Sequence, residues 1–249
     1  MIKGTKILKV LLDNIESVNR LTNFDRVVLD FSIKSIENLQ NKLKRKFENE
    51  SLLATSTLKQ LRLIRDHDSM RHQYKEIFNQ CVVLLVSYFG SAVSEILKEY
   101  VTSNISELKD KKAFTEEFKF SPRELSTYDF NLRDHIGEII ISKKNISFQD
   151  MKSINRSFQD FLDISIERDS IVNDIIMGQA CRHVIVHSGA IVDTKMMKNV
   201  SDANPRSLKP IIKVNSKVQF EPAELDILIM SMKNYVESLV ETLDLKYGQ

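Results

Sequence analysis

An arginine and two histidines fall within six residues in Arg182-His183-Val184-Ile185-Val186-His187, followed at once by Ser188-Gly189. The run closes a segment that is otherwise apolar with helical spacing, and a helix that is burying itself has little use for three such side chains. A guanidinium can neutralise a phosphate through two parallel N–H bonds, and an imidazole can take up and return a proton near neutral pH. Together these are the groups that metal-free RNA cleavage requires.

At about 100° per residue, His183 and His187 share one helix face, whereas Arg182 is turned by about 140° from His187 and must curl toward it. His187 in the last turn meets the negative end of the helix dipole, which favours the protonated imidazole and keeps it able to act as acid or base. Gly189 suits the left-handed residue that follows a helix end. Plainer readings exist for the same residues. Arg182 can pair with Asp174 or Asp193, and His187 can satisfy helix-end carbonyls. His183 and His187 also form a His-x-x-x-His spacing able to hold zinc. Val184 stands where a metalloprotease needs Glu, and only Asp193 offers a third ligand, so neither metal nor cofactor is expected.

The elements that must position these residues read as helices. The chain has 249 residues, 42% hydrophobic and 28% charged, with only 6 Gly and 4 Pro. So few turn residues favour an all-α fold over a sandwich or a doubly wound sheet. The net charge of +2 leaves any nucleic-acid site to a local patch. Helical spacing predicts a helix over 5–20 (Ile7, Leu8, Leu11, Leu12, Ile15, Val18) and another over 24–47 (Phe24, Val27, Val28, Phe31, Ile36, Leu39, Leu43), which together could form an N-terminal hairpin. The polar link Glu48-Asn49-Glu50-Ser51 divides this extension, residues 1–50, from a bundle domain, 51–249.

A helix is expected over 52–65, and a long one from Ser69 to Val101 whose centre, Cys81 to Phe89, is apolar nearly all round and therefore buried. Ser121-Pro122-Arg123-Glu124 combines a first-turn proline with a capping box, and Ser147-Phe148-Gln149-Asp150 reads as the start of a helix ending near Ile164. The motif helix spans 168–187, with Ile171, Ile175, Ile176, Ala180, Val184 and Ile185 inward. Ile211 to Phe220 alternates weakly around Asn215-Ser216, as a short β-hairpin would, and Glu221-Pro222 opens a last helix ending near Leu243. Cys81 and Cys181 lie in apolar helical surroundings and read as buried thiols of a reducing cytosol. The N-terminus lacks the apolar region of a signal peptide, and the longest apolar run, Cys81 to Val86, is too short to span a bilayer, so a cytoplasmic protein with no membrane partner is expected.

Other clusters carry less chemistry. Asp66-His67-Asp68 and His72 precede the long helix, where Asp68 or Ser69 serves more simply as an N-cap. His135 follows Asp134 in a polar, exposed segment. Lys42, Lys44, Arg45 and Lys46 suit a solvated helix end, with an RNA-backbone contact as the alternative. Lys195 and Lys198, just after the motif, are weak candidates for RNA binding by position. The chain has no P-loop, no GxGxxG, no GxSxG and no paired CxxC.

The Arg-polar-x-x-x-His run resembles the signature of the HEPN superfamily (higher eukaryote and prokaryote nucleotide-binding domains). The continuation His187-Ser188-Gly189-Ala190-Ile191-Val192-Asp193 is similar to that family, as is Ser87-Tyr88-Phe89-Gly90-Ser91-Ala92-Val93 on the upstream buried helix. The likeness covers roughly residues 55 to 245 and is closest to HEPN domains of prokaryotic defence and toxin systems. Relatives carry an acidic residue near Gly90, where this chain's nearest carboxylate on that helix is Glu95. The resemblance implies an all-α bundle of HEPN type and a metal-independent endoribonuclease. In such an enzyme the ribose 2′-OH attacks the adjacent phosphodiester, leaving a 2′,3′-cyclic phosphate and a 5′-OH. It assigns His187 as general acid or base, Arg182 to the phosphoryl charge, and His183 to phosphate binding or orientation of His187. It also implies RNA as substrate, a homodimer with a composite site, and an antitoxin or defence-system partner. A non-catalytic HEPN module that binds RNA, a nucleotide or a partner protein is the alternative, and a purely structural helical subunit a third.

Overall fold

The apolar stretch from Cys81 to Phe89 becomes the centre of a 29-residue helix around which the other helices gather. The computed structural model describes residues 3–46, 52–67 and 75–248. In chain order the helices are α1 (Lys3–Thr22), α2 (Phe24–Lys46), α3 (Leu52–Asp66), α4 (Lys75–Ser103), α5 (Ile105–Leu108), α6 (Pro122–Thr127), α7 (Ile136–Lys143), α8 (Met151–Leu162), α9 (Ser170–His187), α10 (Thr194–Asn199) and α11 (Pro222–Tyr247). The protein is 73% helical, and no extended strand occurs among the described residues, in keeping with the all-α expectation.

Helix α4 packs against α1, α7, α8, α9 and α11. Its Cys81, Val82, Leu85, Phe89, Val93, Ile96 and Leu97 are fully buried, and each such aliphatic or aromatic side chain contributes about 1.5–3 kcal/mol. Taken whole rather than by its longest apolar run, Glu76–Ser103 is long and apolar enough to cross a membrane by length and composition. Half of its most apolar window is buried inside the protein, as in a core helix.

The N-terminal helices do not form the expected hairpin with each other. Helix α1 lays Leu11, Ile15 and Val18 into the core against α4 and α11. Only Asn23 separates α1 from α2, too short a link for two helices to fold back side by side. Helix α2 pairs instead with α3, burying Ile33 and Leu58 and joining Arg65 to Asp30 at 2.8 Å and Arg62 to Glu37. The face of α2 turned away from α3 leaves Phe24, Val27, Val28 and Phe31 exposed. The expected link at 48–51 lies outside the described residues, as do Asp68, Ser69 and His72. Of the basic run, Lys42 is exposed and the side chains of Lys44, Arg45 and Lys46 lie outside the description.

Local sequence accounts for the helix ends. Ser121 and Glu124 form the reciprocal capping box, with Pro122 in the first turn. Helix α8 is capped by Asp150, which accepts from the Ser153 N–H at 2.8 Å, three residues later than the expected start at Ser147. The carbonyl of Leu162, at the end of α8, accepts from the Lys246 ammonium and the Tyr247 hydroxyl of α11. Cys81 and Cys181 are free and buried, and burial pushes the Cys81 thiol up to about 11.

The expected β-hairpin over 211–220 is reduced to isolated bridges. Ile211 pairs with Gln219, but residues 215–218 turn onto the segment after α9 rather than extending a ladder with 211–214. Asn215 has φ +64°, which breaks the extended run.

Candidate functional site

Helix α9 owes its start to Asp169, whose side chain accepts from the Val172 N–H at 2.8 Å. It buries Val172, Ile175, Met177, Cys181 and Val184, while Ile171, Ile176, Ala180 and Ile185 are only partly covered. Three polar residues are buried on the same helix. Asn173 donates to the Pro205 carbonyl, and Gln179 accepts from the Met151 N–H. Asp174, 3% exposed, accepts from the Ser207 and Leu208 N–H groups at 2.8 and 2.7 Å and from the Ser231 hydroxyl at 2.9 Å. These bonds clamp the 205–208 loop between α9 and α11. Sequence reasoning, which offered Asp174 only as a partner for Arg182, missed them because the bonded loop lies more than 30 residues away.

At the far end of α9 the burial pattern stops. Arg182 is half-buried, and His183 and His187 are exposed. The two imidazoles face each other with ring centroids 4.9 Å apart, as their four-residue spacing dictates. Among the described residues, neither ring has a hydrogen-bond partner and Arg182 has neither hydrogen bond nor ion pair. The carboxylates that a structural reading would give Arg182 are occupied elsewhere: Asp174 holds the 205–208 loop, and Asp193 caps α10 through the Met196 N–H at 2.6 Å.

The helix ends as its sequence directs. Gly189 takes the left-handed conformation at φ +58°, and the Ala190 N–H closes back onto the Val184 carbonyl at 2.9 Å. Residues 190–192 then pair with 215–218: Val192 N–H to Ser216 O at 3.0 Å, Asn215 N–H to Val192 O at 2.9 Å, Val218 N–H to Ala190 O at 2.8 Å. The buried Asn79 of α4 donates to the Val218 carbonyl, and Lys217 pairs with Glu76 at 3.2 Å. The loop after His187 is thus fixed to the start of α4. Lys195 and Lys198 stand exposed on α10, three residues apart on one face, with no partner among the described residues.

The Ser87–Val93 stretch occupies the middle of α4, not the neighbourhood of His187. A Cβ on Gly90 would come within 3.1 Å of the Phe148 carbonyl oxygen. Phe148 lies just before Met151, which bonds Gln179, eight residues or about 12 Å of helix before His187. An acidic side chain at 90 would therefore press on backbone at mid-helix. Glu95 is engaged with Lys98 at 2.5 Å.

Among the described residues no three His, Cys, Asp or Glu side chains gather as a metal site. His135 lies 3.5 Å from Glu138 and against the Tyr128 ring, half-buried rather than exposed; Asp66 is paired with Arg65, and His67 is exposed. Two clefts elsewhere, of about 830 Å³ beside α8 and about 680 Å³ between α1 and α4, include none of the motif residues. The motif side chains stand at the surface, with His183 and His187 exposed and Arg182 half-buried. Comparison with family models, with curated proteins and with solved structures found no match to this chain.

Proposed function

We propose that this protein is a metal-independent endoribonuclease of HEPN type. The observation that carries the reading is the state of Arg182, His183 and His187. They share the solvent-facing end of one helix, and among the described residues none of them has a hydrogen bond or ion pair. A structural arginine would be paired, and here its two candidate carboxylates serve other bonds.

In the reaction, one imidazole takes the proton of the ribose 2′-OH while its oxygen bonds to phosphorus. The P–O5′ bond breaks as a second acid protonates the leaving oxygen. Arg182 neutralises the charge growing on the non-bridging oxygens, which a single ammonium cannot match bidentately. His187 supplies one of the two proton-transfer groups, and His183 holds the phosphate or its neighbour's ring. A second copy of the chain, placed across a two-fold axis, supplies the other group, so the active species is a homodimer. The 2′-OH nucleophile makes the substrate RNA rather than DNA. A cytoplasmic toxin or anti-phage effector, restrained by a partner such as an antitoxin, is the role this chemistry fits.

One observation favours the alternative of a non-catalytic RNA- or partner-binding module: among the described residues no carboxylate bonds either imidazole. Incubation with RNA in EDTA, beside His187→Ala and Arg182→Ala, separates the two. Cyclic-phosphate ends lost in both variants, with circular dichroism unchanged, support the enzyme. RNA bound but never cut supports the module.

A further inference from the structure

We infer that the 213–217 turn and helix α10 form a backbone-directed binding track for single-stranded RNA beside the motif, an inference that rests on the RNA-cleaving reading of Arg182 and His187. The starting observation is where the charge lies. Residues 182–217 hold seven Lys and Arg against two Asp, in a chain whose total is +2, so the remainder is net acidic. The two acids are both engaged locally, Asp193 as the α10 cap and Asp202 with the Ser201 hydroxyl.

The fold then brings distant parts of this stretch together. The three backbone bonds between 190–192 and 215–218 set Lys217 opposite Ile191, four residues beyond His187, and carry Lys213 to the near side of the same turn. Lys213 and Lys195 are exposed and unpaired among the described residues. Lys217 is held only by an exposed pair to Glu76, with 58% and 61% of the two side chains open, a contact of about 0–1 kcal/mol that a phosphate can displace. Lysines therefore stand on the turn paired with 190–192 and on α10, the helix that follows the motif.

The chemistry of the patch selects the mode of recognition. Residues 182–217 contain no Phe, Tyr or Trp, so the only rings there that could stack a base are the imidazoles of His183 and His187, which the reaction itself uses. The exposed apolar side chains beside the motif, Val186, Ile191 and Val214, carry no base-reading groups. Binding runs through phosphates, tolerates sequence and depends strongly on salt.

The test uses full-length His187→Ala protein, with a single-stranded RNA of mixed sequence, by fluorescence anisotropy over a salt series. Adding Lys213→Ala and Lys195→Ala should lower the slope of log K against log salt by about 0.7 for each lysine, and weaken binding by about fivefold each at 0.1 M salt. Retained affinity and slope in the double variant overturn the track. Failure of the His187→Ala protein to bind RNA at low salt also overturns it, and points to an acidic protein surface as occupant. Lysine-dependent binding without cleavage by the unmutated protein would sink the nuclease reading and leave the track standing.

Discussion

Asp174 offers the sharpest test of how the site is held. Its carboxylate is buried and receives three hydrogen bonds, from two consecutive backbone N–H groups of the 205–208 loop and from Ser231 of α11. Asp174→Ala removes all three acceptors at once. Each buried donor left without a partner costs about 1–3 kcal/mol, and bonds to an ionised group lie toward the upper end. Water entering the vacated space recovers part of this, so a loss of about 3–5 kcal/mol is expected. For a chain of this size that corresponds to a fall in Tm of about 6–20 °C. Asp174→Asn keeps one acceptor for the two backbone donors, and the rotatable Ser231 hydroxyl can turn to accept from the new amide, so its loss should stay near 1 kcal/mol. Because the 205–208 loop leads directly into 211–219, the Ala variant should also loosen the turn beside the motif and weaken RNA binding. The assay is thermal and urea unfolding of the two variants with Ser231→Ala as a third. A Tm within 2 °C of the unmutated protein for Asp174→Ala would refute the view that this carboxylate clamps the loop.

Four further outcomes follow from particular contacts. Gly90→Asp should destabilise by about 1–3 kcal/mol against the Phe148 carbonyl and leave RNA cleavage no faster, measured by unfolding and by a cleavage assay. Glu124 sits beside the Lys143 ammonium, which with the Ser121 capping bonds draws its pKa from 4.5 down to about 2. A depressed carboxylate stabilises above its unfolded pKa and loses that stabilisation as pH falls from 4.5 toward 2. Glu124→Gln should therefore flatten the acid loss of stability in that window, read as Tm against pH. Phe31→Ser replaces a side chain that is 73% exposed and should change monomer stability by less than about 0.5 kcal/mol. A larger loss would mean that the outer face of α2 is covered in solution. Neither cysteine should react with a disulfide reagent in the folded protein, because burial holds both thiols protonated; rapid labelling before unfolding would contradict their placement.

The helices and most of their ends were legible because they depend on local rules. The capping box at Ser121, the buried centre of α4 and the glycine stop after His187 all follow from spacing and side-chain chemistry within a few residues. What the sequence hid is non-local. Helix α1 has the same apolar periodicity whether it packs on α2 or on α4, and only the single-residue link at Asn23 excludes the hairpin. Asp174 stands out in the sequence only as a possible partner of Arg182 and Gln179 not at all, because the loop at 205–208 and the start of α8 that bond them are distant in sequence. The motif itself was visible as a type-and-spacing anomaly, and the structure adds that nothing within the described fold engages it. Lys213 and Lys217 escaped notice because 26 or more residues separate them from His187. The density of Lys and Arg over 182–217 was the available signal, and only the pairing of 190–192 with 215–218 gives it a place.

The most direct measurement of the central claim is cleavage of a mixed single-stranded RNA by purified protein in EDTA, with end-group analysis of the products, beside Arg182→Ala and His187→Ala. The account predicts 2′,3′-cyclic phosphate and 5′-hydroxyl ends from the unmutated protein and a loss of at least about a hundredfold in either variant, with folding intact. Equal cleavage by His187→Ala, or none by the unmutated protein at a concentration where it is dimeric, would contradict it.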